Sequence, residues 1–64
     1  MKVSDLVHAF MNISNYTVTL IPEGAPSEII QDSEFLSSPE SFQEGNATVS
    51  SFRIDADEIR IYCR

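Results

Sequence analysis

The strongest constraint on the fold lies in the last eighteen residues, 47–64, where apolar and polar side chains alternate. Alternation with a period of two is expected of a β-strand that buries one face. It is clearest in the final run, whose apolar members are Ile59, Ile61 and Cys63. This run therefore predicts a strand with its apolar side chains directed into a core.

A second apolar run precedes the final strand and is out of phase by one residue. Phe52 and Ile54 alternate, but the step from Val49 to Phe52 is three residues rather than two. One extra residue at 50–51, a β-bulge, would return Val49 to the face of the other two. The short acidic stretch 55–57 predicts an antiparallel connection of about three to five residues. The chain end is therefore expected to form a β-hairpin.

Near the N-terminus, the spacing of apolar residues predicts a helix from Ser4 to about Met11. Ser4 is a favoured N-cap residue, and a carboxylate at Asp5 suits the positive end of the helix dipole. Apolar residues recur at the spacing that places them on one stripe. That stripe consists of Val3, Leu6, Val7 and Phe10, and Met11 widens it. His8 lies off the stripe and is expected to be solvated.

The stretch from Tyr16 to Ile21 is rich in β-branched residues and predicts the next strand. Pro22 ends it, and 23–26 reads as a turn or loop. Val18 and Leu20 are expected to face the helix. The opposite face would carry Thr17, Thr19, Ile21 and, from the last strand, Tyr62.

Periodicity leaves the middle of the chain, residues 27–45, open. Ile29 and Ile30 with Phe35 and Leu36 fit either one or two helical turns or a short strand followed by a loop. Residues 37–41 could cap a brief helix that carries Phe42, with Pro39 in its first turn. Gly45 and Asn46 are expected to form a turn before the bulged strand.

Together these elements predict one small α+β domain spanning residues 1–64. We expect one N-terminal helix packed on a three- or four-stranded, mainly antiparallel sheet, in the order α-β-(β or short helix)-β-β. The predicted contact joins the helical stripe to Val18, Leu20, Phe52, Ile54, Ile59 and Ile61. A chain of 64 residues buries only about 60% of its unfolded surface. A second layer, supplied by a partner or a copy of the chain, would therefore add stability.

The sequence offers little for catalysis or for a bound cofactor. Gly24 and Gly45 are the only glycines and lie too far apart for a phosphate-binding loop. One histidine, His8, and one cysteine, Cys63, at opposite ends are a poor start for a zinc site. The three carboxylates within 55–58 could hold a calcium or magnesium ion loosely, but the EF-hand pattern is absent. We therefore expect no enzymatic activity, no metal and no cofactor.

The sequence also indicates where the protein acts. No apolar run approaches the ~20 residues that span a bilayer, and the segment around Asp5 has no signal-peptide core. Cys63 is expected to be a buried free thiol in a reducing compartment. We therefore expect a cytoplasmic protein of the host cell.

Charge is the strongest compositional feature. Ten acidic residues face four basic ones, giving a net charge of −6, and no Lys or Arg lies between Lys2 and Arg53. Such a chain would repel nucleic acid and anionic membranes, so a basic protein surface is the expected partner. The candidate binding residues are Glu23, Glu28, Asp32, Glu34, Glu40 and Glu44 in this gap, and Asp55, Asp57 and Glu58 at the hairpin tip.

These acids fit two interpretations. They could simply keep a small domain soluble. Alternatively, carboxylates displayed along one side could imitate the closely spaced phosphates of DNA and occupy a cationic nucleic-acid channel.

The opening residues 1–6, followed by 15–20, resemble the start of small phage- and prophage-encoded proteins of Gram-positive bacteria. In those proteins a short helix leads into a strand. Some type II anti-CRISPR proteins, acidic inhibitors that block the DNA-binding channel of the nuclease Cas9, begin similarly. This chain departs from that group at its C-terminus, where the strand 58–64 replaces an acidic helical region.

The resemblance implies a non-enzymatic phage or mobile-element accessory protein that binds a basic protein surface, such as the DNA channel of a host defence nuclease. The alternative is a structural or assembly protein that homodimerises through the mildly apolar sheet face of Thr17, Thr19, Ile21 and Tyr62. A small-ligand or metal-binding module is a third class.

Overall fold

A computed structural model describes residues 1–10 and 12–64. It contains an N-terminal helix, a four-stranded sheet and a second short helix between the strands, which confirms the expected α+β class. The helices are α1 (Val3–Ala9) and α2 (Ser33–Ser37). The strands are β1 (Thr17–Pro22), β2 (Glu28–Ile30), β3 (Val49–Asp55) and β4 (Glu58–Cys63).

The strands lie in the order β2-β1-β4-β3. The two outer pairs, β1 with β2 and β3 with β4, are antiparallel, whereas β1 and β4 run parallel at the centre of the sheet. A parallel pair needs a long connection, and the chain between β1 and β4 provides it through β2, α2 and β3. The sheet is therefore mixed, with its only parallel pairing at the centre.

The predicted hairpin at the chain end is confirmed. Its register shifts between Val49 and Ser51, which is the expected bulge. The turn is shorter than expected, because Asp55 already pairs with Glu58 and leaves only two residues, Ala56 and Asp57, to connect the strands.

The predicted N-cap of the first helix is wrong. The helix begins at Val3 with Lys2 as its N-cap, so Ser4 lies inside the first turn, where it is buried. The reason is a tertiary contact: the Val3 backbone N–H donates to the Ala47 carbonyl at 2.9 Å and holds the preceding residue extended. Asp5 then accepts a hydrogen bond from the backbone N–H of Lys2 at 2.9 Å.

The helix ends earlier than the sequence suggested, at Ala9, with Phe10 as its C-cap. The predicted extension towards Met11, and the place of that residue in the apolar stripe, lie outside the described residues.

The core forms between α1 and the two central strands. Its fully buried side chains include Val3, Val7, Val18, Leu20, Ile59 and Ile61, as the apolar patterns predicted. The same layer contains Phe35, only 2% exposed, whose ring centroid lies 5.4 Å from that of Phe42. Cys63 is buried as expected, and burial raises the pKa of its thiol.

The predicted burial of Phe52 and Ile54 is wrong: these side chains are 44% and 50% exposed. A seven-residue helix is only about 10 Å long, and it packs on the central strands rather than on β3 at the edge. Phe10, directly after the helix, approaches this edge, with its ring centroid 6.1 Å from that of Phe52.

The middle of the chain combines the two alternatives that the sequence left open. Residues Glu28–Ile30 form strand β2, and the following Ser33–Ser37 form helix α2. Pro39 begins a single 3-10 turn that ends before Phe42, and a second such turn, Glu44–Asn46, leads into β3. Within the described part of the chain, no helix is long and apolar enough to cross a membrane.

Candidate functional site

The nine acidic residues proposed from the sequence fall into three separate groups. One group lines a groove at the ends of β1 and β4 and consists of Glu23, Glu28 and Glu44. A second lies along the segment between β2 and β3 and consists of Asp32, Glu34 and Glu40. The third is at the hairpin tip and consists of Asp55, Asp57 and Glu58. The fold therefore does not bring all nine acids together.

The groove is a concave surface lined by three acids from the stretch between Lys2 and Arg53. Its volume is about 530 Å³, within the range of ligand-binding clefts in proteins. Apolar lining comes from the two strands and from the segment that leads into β3, namely Leu20, Pro22, Cys63 and Ala47. Polar lining comes from Glu23, Glu28, Gln43, Glu44, Asn46 and Arg64. The groove therefore combines carboxylates with a partly apolar surface.

Strand pairing explains how two distant parts of the chain meet in this groove. The parallel register places Pro22 beside Cys63, so both strands end together. The backbone N–H of Glu23 continues the pairing by donating to the Cys63 carbonyl at 2.8 Å. Glu28 pairs with Leu20 across the antiparallel β1–β2 register and so lies on the helix-bearing face.

The groove carries more negative than positive charge. Its lining residues include three glutamates and one arginine. Carboxylates in a partly apolar cleft suit a cationic side chain that brings its own hydrocarbon stem. This arrangement can bind a Lys or Arg side chain of a protein partner.

Sequence reasoning missed Arg64 and the apolar lining of the groove. Alternation predicts Arg64 only as a polar end to the last strand, whereas it is part of the groove lining. The signal is present in part, because the predicted strand ending at Ile21 is followed by Glu23. Their parallel pairing was not deducible from periodicity.

At the hairpin tip, the Glu58 carboxylate accepts hydrogen bonds from two other side chains of the sheet. Its Oε2 accepts a hydrogen bond from the Thr19 hydroxyl at 2.9 Å, and its Oε1 accepts one from Arg60 Nε at 2.9 Å. The hydrogen bond from Thr19, followed by that from Arg60, lowers the pKa of Glu58. Arg60 in turn has a raised pKa because of the same carboxylate.

The same network changes the sheet face that was expected to be mildly apolar. Thr19 is buried and Tyr62 is half-buried, while Glu58 and Arg60 join across that face. The centre of the face is therefore polar, with its hydrogen bonds made internally.

Two acids of the second group, between β2 and β3, also form hydrogen bonds. Asp32 caps α2 by accepting the backbone N–H of Glu34 at 2.9 Å. Glu40 Oε2 lies 2.9 Å from Nε2 of His8, so this histidine is exposed, as expected, but not without a partner. A hydrogen bond from its own backbone N–H, and then the one with His8, lowers the pKa of Glu40.

The tip and the groove lie at opposite ends of the sheet. The tip includes the first residue of β4, Glu58, and the groove contains its last residue, Cys63. Five steps of about 3.3 Å along this strand separate the two ends by about 17 Å. A single small contact would therefore engage one end or the other.

A second cavity, of about 480 Å³, lies beside α2. Hydroxyl groups dominate its lining, which consists of Ser33, Glu34, Ser37, Ser38, Ser41 and Phe42. This cavity therefore offers mainly hydroxyl groups for polar contacts.

In residues 1–10 and 12–64, no three His, Cys, Asp or Glu side chains come together as a metal site. The acids at 55, 57 and 58, considered as ion ligands from the sequence, are among these residues.

Comparison of the chain with protein-family models, with curated proteins and with solved structures found no match.

Proposed function

We propose that this chain is a non-enzymatic accessory protein of a phage or mobile element that binds a basic surface of a host protein. It acts in the cytoplasm of the host cell by stoichiometric binding. The target class that suits its charge is an enzyme with a cationic nucleic-acid channel, such as the defence nuclease Cas9.

The observation that carries the proposal is the acidic groove. Three of the seven acids between Lys2 and Arg53, namely Glu23, Glu28 and Glu44, line one cleft although they come from three different segments of the chain. Because the cleft also has apolar lining, a bound Lys or Arg would lose water from its stem while its charged end meets a carboxylate.

The overall charge supports the same conclusion. At −6 on 64 residues, the molecule is attracted to any cationic channel over a distance comparable to the Debye length, about 8 Å at physiological salt. Long-range attraction would accelerate docking, and the groove would fix the orientation.

The proposal is tested by measuring binding to guide-loaded Cas9 in competition with target DNA. The expected result is a one-to-one complex that DNA displaces. Neutralising the groove with Glu23→Gln, Glu28→Gln and Glu44→Gln should weaken binding roughly tenfold, since exposed charge pairs contribute about 0.2–1 kcal/mol each.

The matched control neutralises three acids outside the groove, by Glu34→Gln, Asp55→Asn and Asp57→Asn, and has the same net charge. It should retain most of the affinity. Equal losses in both triple variants would show that only net charge matters and would refute the role of the groove.

A broader test does not depend on the choice of Cas9. The intact protein, immobilised, should capture from a host lysate a partner that moderate salt releases and that the groove variant fails to capture. If the captured partner is acidic, or is held equally by the groove variant, the proposed mode of binding is wrong.

A further inference from the structure

The two edges of the sheet differ in how open they are to another strand. Strand β2 has only three residues, and short edge strands resist edge-to-edge pairing. Strand β3 has seven residues and pairs on one side only, with β4. The edge at β3 is therefore the one long enough to receive a further strand.

Only the beginning of this edge is covered. The backbone N–H of Val49 donates to the Met1 carbonyl at 2.8 Å, and Lys2 forms an isolated bridge with Thr48. The bulge follows directly, between Val49 and Ser51. The regular part that remains, 51–55, is a continuous edge.

The uncovered part presents apolar side chains on one face. Phe52 and Ile54 are 44% and 50% exposed, on the same side of the sheet as α1. A further strand that pairs with this edge would place its own side chains beside Phe52 and Ile54 and bury both of them further.

The opposite face of the same residues carries an unusual charge pattern. In the hairpin register, Arg53 lies directly opposite Arg60, and Asp55 lies directly opposite Glu58. Like charges directly opposite one another destabilise an antiparallel pair. Among the described residues, neither Arg53 nor Asp55 forms an ion pair, since Arg60 and Glu58 bind each other.

We propose that β3 is a homodimer interface, in which the edge pairs antiparallel with the β3 edge of a second copy around Ile54. In that register Ile54 meets itself, and Arg53 lies opposite Asp55 of the second copy. The two-fold symmetry makes this charge pair twice. Each side chain that faces a like charge within its own hairpin thus gains an opposite charge from the other copy.

The dimer joins two four-stranded sheets into one of eight strands. Antiparallel pairing about a two-fold axis keeps both helices on the same face, so Phe52 and Ile54 of each copy form one apolar strip between them. This edge is distinct from the face of Thr17, Thr19, Ile21 and Tyr62 considered from the sequence.

Sedimentation equilibrium tests the dimer directly. At loading concentrations up to about 1 mM, which reaches weak interfaces, the weight-average mass should rise from that of one chain, 7.2 kDa, towards twice that value. A mass that stays at that of one chain over the whole range would overturn the proposal.

Charge exchange identifies the register. Arg53→Asp alone, or Asp55→Arg alone, places like charges opposite one another twice and should weaken self-association roughly tenfold or more. An equimolar mixture of the two variants should form a heterodimer, because every cross-strand pair is then complementary. A mixture that does not associate more tightly than either variant would show that the edges do not meet in this register.

Controls with the same net charge separate this effect from general repulsion. The double variant Ser27→Glu with Gln31→Glu matches Arg53→Asp, and Glu34→Arg matches Asp55→Arg. All three positions are exposed and lie outside β3. Both controls should dimerise like the original chain, and their failure to do so would assign the effect to charge alone.

The dimer does not depend on the proposed function. The β3 edge contains none of the groove residues, so neutralising the groove leaves the proposed interface intact. The groove variant should also dimerise normally. The failure of either proposal is therefore recognisable without the other.

Discussion

Gly45 occupies a position where a side chain has no space. A Cβ atom there would overlap the backbone carbonyl of Pro39, because the two successive 3-10 turns pack against each other. Glycine was expected at this point as part of a turn. The close approach of another backbone segment, which is the stronger requirement, cannot be seen in a sequence.

Gly45→Ala should lower the free energy of unfolding by about 1–3 kcal/mol, since backbone atoms must move to admit the methyl group. The measurement is urea denaturation. Gly24→Ala is the control: Gly24 has φ +75° but open space around it, so only the backbone penalty of about 1–2 kcal/mol applies. A Gly45→Ala protein as stable as the original chain would contradict the packing described here.

Ala56 adopts a left-handed backbone conformation, with φ 57°, in the two-residue hairpin turn, although glycine is the residue that favours this conformation. Ala56→Gly should therefore raise the free energy of unfolding by about 0.5–1 kcal/mol. Glycine removes the steric penalty of the left-handed conformation, and its greater entropy in the unfolded chain offsets part of that gain. Ala25→Gly, at a residue that does not itself have a positive φ, should be neutral or destabilising. The same urea titration compares the two, and equal effects would contradict the turn geometry.

At the scale of elements, Glu58 of β4 links the two central strands through its hydrogen bond with Thr19 of β1, and it also binds Arg60 of its own strand. Its pKa is lowered below the ordinary value of 4.5 in the folded protein. A lowered carboxyl pKa stabilises the fold fully above the unfolded pKa, and this stabilisation is lost as pH falls through the folded pKa.

Stability should therefore decline in acid, and Glu58→Gln should make that decline shallower while lowering stability at pH 7. Thr19→Val, which removes the largest cause of the shift, should act in the same direction. Urea unfolding from pH 7 down to about pH 3 measures both. Glu34→Gln, at an exposed position in α2, is the control. An unchanged pH profile for Glu58→Gln would show that this network contributes nothing to folding.

The elements themselves were predictable to different degrees. Alternation at Ile59, Ile61 and Cys63 was enough to predict β4, and the phase error at Val49 was enough to predict the bulge. The N-cap was not predictable from Ser4, because a hydrogen bond from Val3 to distant Ala47 sets the start of α1. At this position a tertiary hydrogen bond overrides the N-cap preference of serine.

At the scale of the whole molecule, the order of the strands determines which side chains are exposed and which acids lie together, and neither could be predicted from the sequence. Placing β3 at the edge explains why Phe52 and Ile54 stay exposed despite their favourable pattern. The same order, through the parallel pairing of β1 and β4, brings Glu23 and Glu28 to the groove beside Arg64. An acidic bias can be counted in a sequence, but the grouping of the acids depends on the register.

The central claim is that charge in the groove drives binding to a basic protein surface, and its most direct test is an ionic-strength titration. Binding of the original chain and of the two triple variants to guide-loaded Cas9, or to the partner captured from lysate, is measured from about 50 mM to about 500 mM NaCl. We expect the affinity of the original chain to fall at least tenfold, and that of the groove variant to fall least. An affinity that is independent of salt, or the same salt dependence for all three proteins, would contradict the claim.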